Sequence, residues 1–194
     1  MWTFSQLTKE DKLRVRFIVD MGLTWSGMMR VFDKGTKIKL QDRIMDDFAE
    51  RLFNIGSRGG FVKIHTEFCD WGTRYIDQAK RKGKPQKDKA SYGQIAKTLD
   101  VTLKVAVYYC HLPDWEQSGR ICHWLNAAVD TAMMGELQSD FPSEIHPWPT
   151  SIKEVNKDAY FKIQGLVDES IKREHNNAIT CPQWEDIHWV EANE

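Results

Sequence analysis

The sequence predicts an all-α protein, a single-domain helical bundle of about six to eight helices. Three observations predict this fold class. Apolar residues recur every three to four positions, no segment alternates apolar and polar residues over a strand-like length, and glycine or proline clusters separate the periodic segments. With 194 residues, 41% of them hydrophobic, the chain can bury a sizeable core without disulfides or metal. Residues 1–194 are therefore expected to form one domain.

The N-terminal part of the chain predicts three helices. The first follows a capping-box-like start at Thr8 and places Leu13, Phe17 and Met21 on one face. The second, from about residue 36 to Gly56, carries apolar residues at intervals of four: Leu40, Ile44, Phe48 and Leu52. After the "GSRGG" turn the same apolar pattern predicts a third helix that ends near Tyr75.

In the rest of the chain, segments that contain glycine or proline separate the predicted helices. Residues 79–90 have no apolar period and predict an exposed basic loop. A helix follows from about 90 to 110 and another from 115 to 137. Three prolines in 138–150 predict a rigid extended connector. Residues 151–194, opened by a second capping box "SIKE", are expected to form a C-terminal helical segment packed on the core.

The stretch "IAKTLDVTLKVAVYYC", residues 95–110, has the spacing of a helix-turn-helix. Its side chains argue against DNA reading, because only Thr102 and Lys104 of the second half could contact DNA. Asp100 also stands where glycine usually allows the turn. We therefore expect a continuous core helix, with Leu103 buried.

Net charge, cysteine content and the length of apolar runs limit the classes of protein that this chain can belong to. The net charge of −1 gives no global attraction to nucleic acid or to anionic membranes, so such an attraction needs a local patch. Four scattered cysteines, a charged N-terminus and the absence of an apolar run near ~20 residues predict a cytoplasmic protein with reduced thiols and no membrane partner.

The segments "SYGQIAKTLDVTLKV", "LNAAVDTAMM" and "CPQWEDIHW" resemble landmarks of a group of uncharacterised bacterial helical proteins. In that group a Gln-x-x-Lys-x-Leu-Asn-Leu-x-x-Lys-like helix precedes a His-x-Pro-x-Asp-like element and a Trp-Glu pair. The match covers residues 91–194. The chain departs from the pattern at Asp100, which replaces the Asn, at Asn126, which replaces the His, and at Ala128, which replaces the Pro. The group has no assigned activity, so the resemblance implies an all-helical bacterial protein and no mechanism.

Two Cys-His pairs, Cys110-His111 and Cys122-His123, contain the residue types that bind Zn²⁺. Adjacent helical residues point about 100° apart, so one pair rarely supplies two ligands. The spacing matches no standard zinc finger, and buried cysteines near a turn explain the pattern equally simply. We expect no metal and no cofactor.

Arg58 and His65 have the Arg-x6-His spacing at the outer limit of the motif in helical HEPN-type ribonucleases, which this segment resembles. That resemblance implies His65 as general acid or base and Arg58 against the phosphate. The two glycines after Arg58 predict that this residue lies in the turn before the helix. A capping arginine and a half-buried histidine are the structural alternative.

The basic loop concentrates six cations in ten residues: Lys80, Arg81, Lys82, Lys84, Lys87 and Lys89. Such a patch can hold a phosphate backbone without sequence preference, and Trp71, Tyr75 or Tyr92 nearby can stack on a base. The alternatives are a solvated loop, or neutralisation by the acidic C-terminal end.

Three functions remain open from the sequence. The leading one is a non-enzymatic helical binding protein that contacts nucleic acid through the basic loop. The second is a metal-independent ribonuclease centred on Arg58 and His65. The third is a protein interaction module, with a homodimer through the Trp-rich C-terminal segment as one form.

Overall fold

The architecture comes from a computed structural model, which describes residues 4–80 and 88–191. The described residues contain nine α-helical elements: α1 (Lys9–Trp25), α2 (Thr36–Arg43), α3 (Ala49–Asn54), α4 (Arg58–Tyr75), α5 (Tyr92–Leu103), α6 (Trp115–Cys122), α7 (Thr131–Asp140), α8 (Lys157–His175) and α9 (Cys181–Glu191). Short 3-10 turns lie at Phe4–Gln6, Met28–Arg30 and Ile152–Glu154.

Two π-helical segments extend the α-helices. Ile44–Phe48 joins α2 to α3, so residues 36–54 form one continuous helix, and Lys104–Tyr109 prolongs α5. Counted this way, the described residues form eight helices and no strand, with two isolated bridges, Phe32 to Gln78 and Asp77 to Lys89. The predicted all-α, single-domain bundle is confirmed.

Helix α5 is the centre of the bundle. Ser91 caps it in a complete capping box with Gln94, and Leu99, Leu103 and Val107 are buried along it and its π-helical extension. The backbone is helical through Asp100, so the chain has no turn there, and the predicted continuous core helix is confirmed. Cys110, at its end, is half-buried.

The sequence predicts that helix α1 packs on the core through Leu13 and Phe17. In the structure α1 packs on α5 through a different face. Leu13 and Phe17 are exposed, whereas Val15, Ile18, Val19, Gly22 and Leu23 are buried. The reason is close packing: a Cβ on Gly22 would lie 2.6 Å from the Thr102 Cα. Only a glycine face allows the two backbones to approach this closely.

The predicted helix over 115–137 is wrong. α6 ends at Cys122, and α7 begins only at Thr131, with Asp130 as its N-cap. The segment between them is non-helical because side chains from other helices satisfy its backbone. Gln164 of α8 donates to the Ala127 carbonyl at 2.8 Å and accepts from its N–H at 3.1 Å.

The prediction that Ser151 and Glu154 form a second capping box is also wrong. The Ser151 hydroxyl caps no backbone N–H, and a 3-10 turn occupies Ile152–Glu154. The long helix starts at Lys157, where the Asn156 side chain accepts from the Ala159 N–H. Glu154 instead accepts hydrogen bonds from the Thr150 N–H and hydroxyl. Helix α7 ends at Asp140, so the proline-rich connector begins at residue 141 and not at the predicted residue 138.

Across residues 4–80 and 88–191, no helix combines the length and the apolar character needed to cross a bilayer.

Candidate functional site: the Lys104 cleft

A cleft of about 490 Å³ opens beside α5, a volume within the range of sites for small molecules. We call it the Lys104 cleft. Its walls come from α5 and its π-helical extension, from the end of α1, from the segment before α7 and from α9. The charged lining residues are Lys97, Lys104, Asp130, Glu185 and Asp186, and the aromatic ones are Trp25, Tyr109 and Trp189.

Lys104 lies at the centre of the charged lining. Its side chain is only 10% exposed, and its Nζ lies 2.9 Å from Glu185 Oε1 and 2.6 Å from Asp186 Oδ1. A lysine withdrawn from water to this extent needs carboxylate partners, which α9 supplies. Lys104 therefore links the central helix to the C-terminal one at the cleft.

The π-helical segment Lys104–Tyr109 shapes this wall. A π-turn inserts an extra residue into a helical turn and often occurs at functional sites. Here it contributes both Lys104 and Tyr109 to the cleft, and the Tyr109 hydroxyl donates to Asp186 Oδ1 at 2.7 Å. Lys104 and Tyr109 thus hold the same carboxylate.

Glu185 is a candidate acid group. Its Oε1 contacts Lys104, and its Oε2 accepts from the Ala128 N–H at 2.9 Å. Burial raises the pKa of the Glu185 carboxyl, although Lys104 and the Ala128 hydrogen bond oppose that rise. A carboxyl group with a raised pKa in a cleft is suited to general acid chemistry.

Lys97 and Asp130 form a second charged pair, with Nζ 3.6 Å from Asp130 Oδ2. The other oxygen, Oδ1, accepts from the Met133 N–H at 3.0 Å and caps α7. The cap fixes the orientation of the carboxylate toward the amine. The pair therefore presents a hydrogen-bond donor and an acceptor side by side to the cleft.

A buried polar network supports the segment before α7 from behind. Asn126 donates to the Tyr160 hydroxyl at 2.9 Å, and this hydroxyl donates to Asp100 Oδ2 at 2.7 Å. His65 Nε2 lies 2.9 Å from Asp100 Oδ1, and the Cys69 Sγ lies 3.7 Å from His65 Nδ1. Buried networks with all members hydrogen-bonded make a core rigid, so the cleft wall has a fixed base.

Three segments that are far apart in the sequence meet in this cleft. "SYGQIAKTLDVTLKV" contributes Lys97 and Lys104, "LNAAVDTAMM" contributes Asp130, and "CPQWEDIHW" contributes Glu185. Asp100 and Asn126 bond to the same Tyr160 hydroxyl behind the wall. Residues far apart in the sequence are thus neighbours.

Arg58 and His65 occupy different environments. The Arg58 guanidinium lies at the surface, 3.1 Å from Asp168 Oδ2, and its side chain is 38% exposed. His65 has no exposed surface and stacks on Tyr160 with a ring-centroid distance of 5.5 Å. A ribonuclease centre needs its histidine at the substrate, and the described structure gives His65 no such access.

The basic loop is described only at its ends. Lys80 is exposed, and Lys89 pairs with Asp77 at 2.7 Å. The predicted positions Arg81, Lys82, Lys84 and Lys87 lie outside the described residues. Tyr75, at the end of the preceding helix, is exposed.

The Cys-His pairs have other contacts. Cys122 is buried, and the His111 ring stacks on Trp115 with centroids 3.5 Å apart. Within residues 4–80 and 88–191, the groups of side chains close enough to share an ion lie elsewhere, around His188.

Comparison with known proteins found no matching family model, no matching curated protein and no matching solved structure.

Proposed function

We propose that the Lys104 cleft binds a nucleobase and that the protein uses it to hold single-stranded nucleic acid. The observation that carries the proposal is the aromatic lining. Trp25, Tyr109 and Trp189 are 63%, 47% and 62% exposed and line the same cleft. Aromatic side chains left in water around a cleft are the stacking surfaces that proteins use for bases of any sequence.

The charges of the cleft favour a neutral ring over a phosphate group. Two lysines and three carboxylates line it, a formal sum of −1. Each lysine amine lies against a carboxylate: Lys97 against Asp130, and Lys104 against Glu185. The lining therefore offers hydrogen-bond donors and acceptors side by side with little net field. A nucleobase edge presents the same mixture.

In this proposal the basic loop binds the phosphates of the nucleic acid. The loop immediately precedes α5. This helix carries Lys97, and its π-helical extension carries Lys104. Because each neutralised phosphate of a single strand contributes about −0.7 to the slope of log affinity against log salt, four contacts give a slope near −3. Replacing Lys82 and Lys84 together should flatten that slope by roughly 1 to 2.

The test is a titration of fluorescently labelled single-stranded oligonucleotides with the intact protein and with tryptophan variants. Trp25→Ala and Trp189→Ala should each weaken binding about 5- to 150-fold, the effect of about 1 to 3 kcal/mol of stacking. Trp115→Ala is the matched control, because Trp115 is 76% exposed but does not line the cleft. Equal effects of all three variants, or no binding at low salt, would overturn the proposal.

A further inference from the structure

His188 lies between two glutamates of different helices. On one side its Nδ1 is hydrogen-bonded to Glu136 Oε1 of α7. On the other side its Nε2 lies 3.8 Å from Glu174 Oε2, near the end of α8. The side chain of His188 is 13% exposed, and its ring packs on Trp184 with centroids 4.0 Å apart. The imidazole is thus held in a defined orientation.

The hydrogen bond to Glu136 determines what Nε2 can do. A carboxylate only accepts, so Nδ1 carries the proton, and in the neutral ring Nε2 carries a lone pair. Nε2 is buried and has no hydrogen-bond partner. This lone pair faces Glu174 Oε2 at 3.8 Å, so the contact is favourable only when a proton or a metal ion on Nε2 lies between the two atoms.

His175 completes a set of three ligands. The ligand atoms of Glu174, His175 and His188 all lie within 4.8 Å of one another. Bonds of about 2.0 to 2.2 Å to a tetrahedral Zn²⁺ separate ligand atoms by roughly 3.3 to 3.6 Å. The distance of 3.8 Å between His188 Nε2 and Glu174 Oε2 is already close to that spacing.

The Glu174 carboxylate is already oriented for this role. Its Oε1 accepts from the Ser170 hydroxyl at 2.9 Å and from Arg173 Nη2 at 2.6 Å. The Trp184 indole N–H donates to the same Ser170 hydroxyl at 3.1 Å. These bonds occupy one oxygen and leave Oε2 facing His188. Hydrogen bonds that orient ligating carboxylates and histidines are a general feature of metal sites.

We propose that Glu174, His175 and His188 bind a divalent transition-metal ion of the Zn²⁺ class, with Glu136 holding His188 in the ligating tautomer. Two histidines and one carboxylate leave a fourth position for water, as in zinc enzymes. The ion joins the end of α8 to α9. This site goes beyond the proposed nucleobase binding, which needs no metal.

The experiment is a Zn²⁺ titration of chelator-treated protein by calorimetry, with Co²⁺ absorption as a second readout of tetrahedral ligation. We expect one ion per chain. His175→Ala and His188→Gln should each weaken binding at least tenfold, and Glu136→Gln about tenfold, as for residues that orient a ligand. His123→Ala is the matched histidine control. Circular dichroism of each variant verifies folding, and the His175→Ala variant keeps the test valid if His188→Gln unfolds.

Two results would contradict the site. Unchanged Zn²⁺ affinity in His175→Ala would remove the proposed ligand set. An alternative site uses the other ring nitrogen of His188, Nδ1. The ligand atoms of Glu136, His188 and Glu191 also lie within 4.8 Å of one another. Loss of binding in Glu191→Gln, with His175→Ala unaffected, would place the ion there instead.

Discussion

Lys104 Nζ and Glu185 Oε1 lie 2.9 Å apart, joining the central helix to the last one at the edge of an open cleft. Both side chains are largely withdrawn from water, with exposures of 10% and 19%. A partly buried ion pair of this kind connects stability with binding, because the same charges that hold α9 in place line the proposed site.

Removing the lysine amine should destabilise the fold. Lys104→Met keeps the aliphatic stem but leaves Glu185 and Asp186 without their cation. We expect a loss of roughly 2 to 3 kcal/mol in the free energy of unfolding, somewhat less than for a fully buried pair because Asp186 remains 32% exposed. Urea unfolding provides the measurement. Lys97→Met, whose amine is 3.6 Å from Asp130, should cost under about 1 kcal/mol. Equal losses would contradict the central role of Lys104.

The contact between α1 and α5 should not tolerate a methyl group. Gly22→Ala places a Cβ 2.6 Å from the Thr102 Cα, so the two helices must move apart. Overpacking of this kind typically costs about 1 to 3 kcal/mol. The matched control is Gly165→Ala in α8, where the Cβ meets no atom within 4 Å, and which should stabilise by about 0.5 to 1 kcal/mol. Thermal unfolding of both variants should show shifts of opposite sign.

Two leucines test which helix faces form the core. Leu103 is 3% exposed, and Leu103→Ala should cost about 2 to 5 kcal/mol of unfolding free energy. Leu13 is 59% exposed, and Leu13→Ala should change it by less than about 0.5 kcal/mol. The reverse order in chemical unfolding would mean that α1 is packed by its other face.

Stability should fall from neutral to alkaline pH through His65. Burial opposes the charged imidazole, but Cys69 and the Asp100 carboxylate outweigh it and raise the pKa of His65 to about 10 from the ordinary 6.5. Since the folded-state pKa is the higher one, the stabilisation is complete below pH 6.5 and is lost as the pH approaches about 10.

The pH dependence is measured as the difference between wild type and His65→Gln. The groups that face His65 are Asp100 from α5, Cys69 from α4 and Tyr160 from α8, and all remain in the variant. The stability advantage of the wild type in urea unfolding should shrink between about pH 6.5 and 10. A difference that is constant over this range would show that His65 does not titrate there.

The helical elements with strong apolar periods were predictable from the sequence. The core positions of α5 follow directly from their spacing, and the helix starts predicted near residues 90 and 115 agree with helices that begin at Tyr92 and Trp115. The prediction failed where tertiary contacts override local pattern. Gly22 packing decided the buried face of α1, and Gln164 kept Ala127 out of a helix.

The cleft was harder to predict because its charges come from separate segments. One signal was present: Lys97 and Lys104 are seven residues apart, which places them on the same side of an otherwise apolar helix. Their partners Asp130 and Glu185 follow only from the packing of α7 and α9. Similarly, His188 has no metal-binding spacing with Glu174 and His175 in the sequence, and only the fold brings them together.

The most direct test of the nucleobase site is ¹⁹F NMR of protein labelled with 5-fluorotryptophan, with resonances assigned by single Trp→Phe variants. Titration with the four ribonucleosides examines stacking without any contribution from phosphate. The resonances of Trp25 and Trp189 should shift on addition of nucleoside, while that of the more exposed Trp115 should stay in place. Unchanged Trp25 and Trp189 resonances at saturating nucleoside, or a shift of Trp115 as large as theirs, would contradict it.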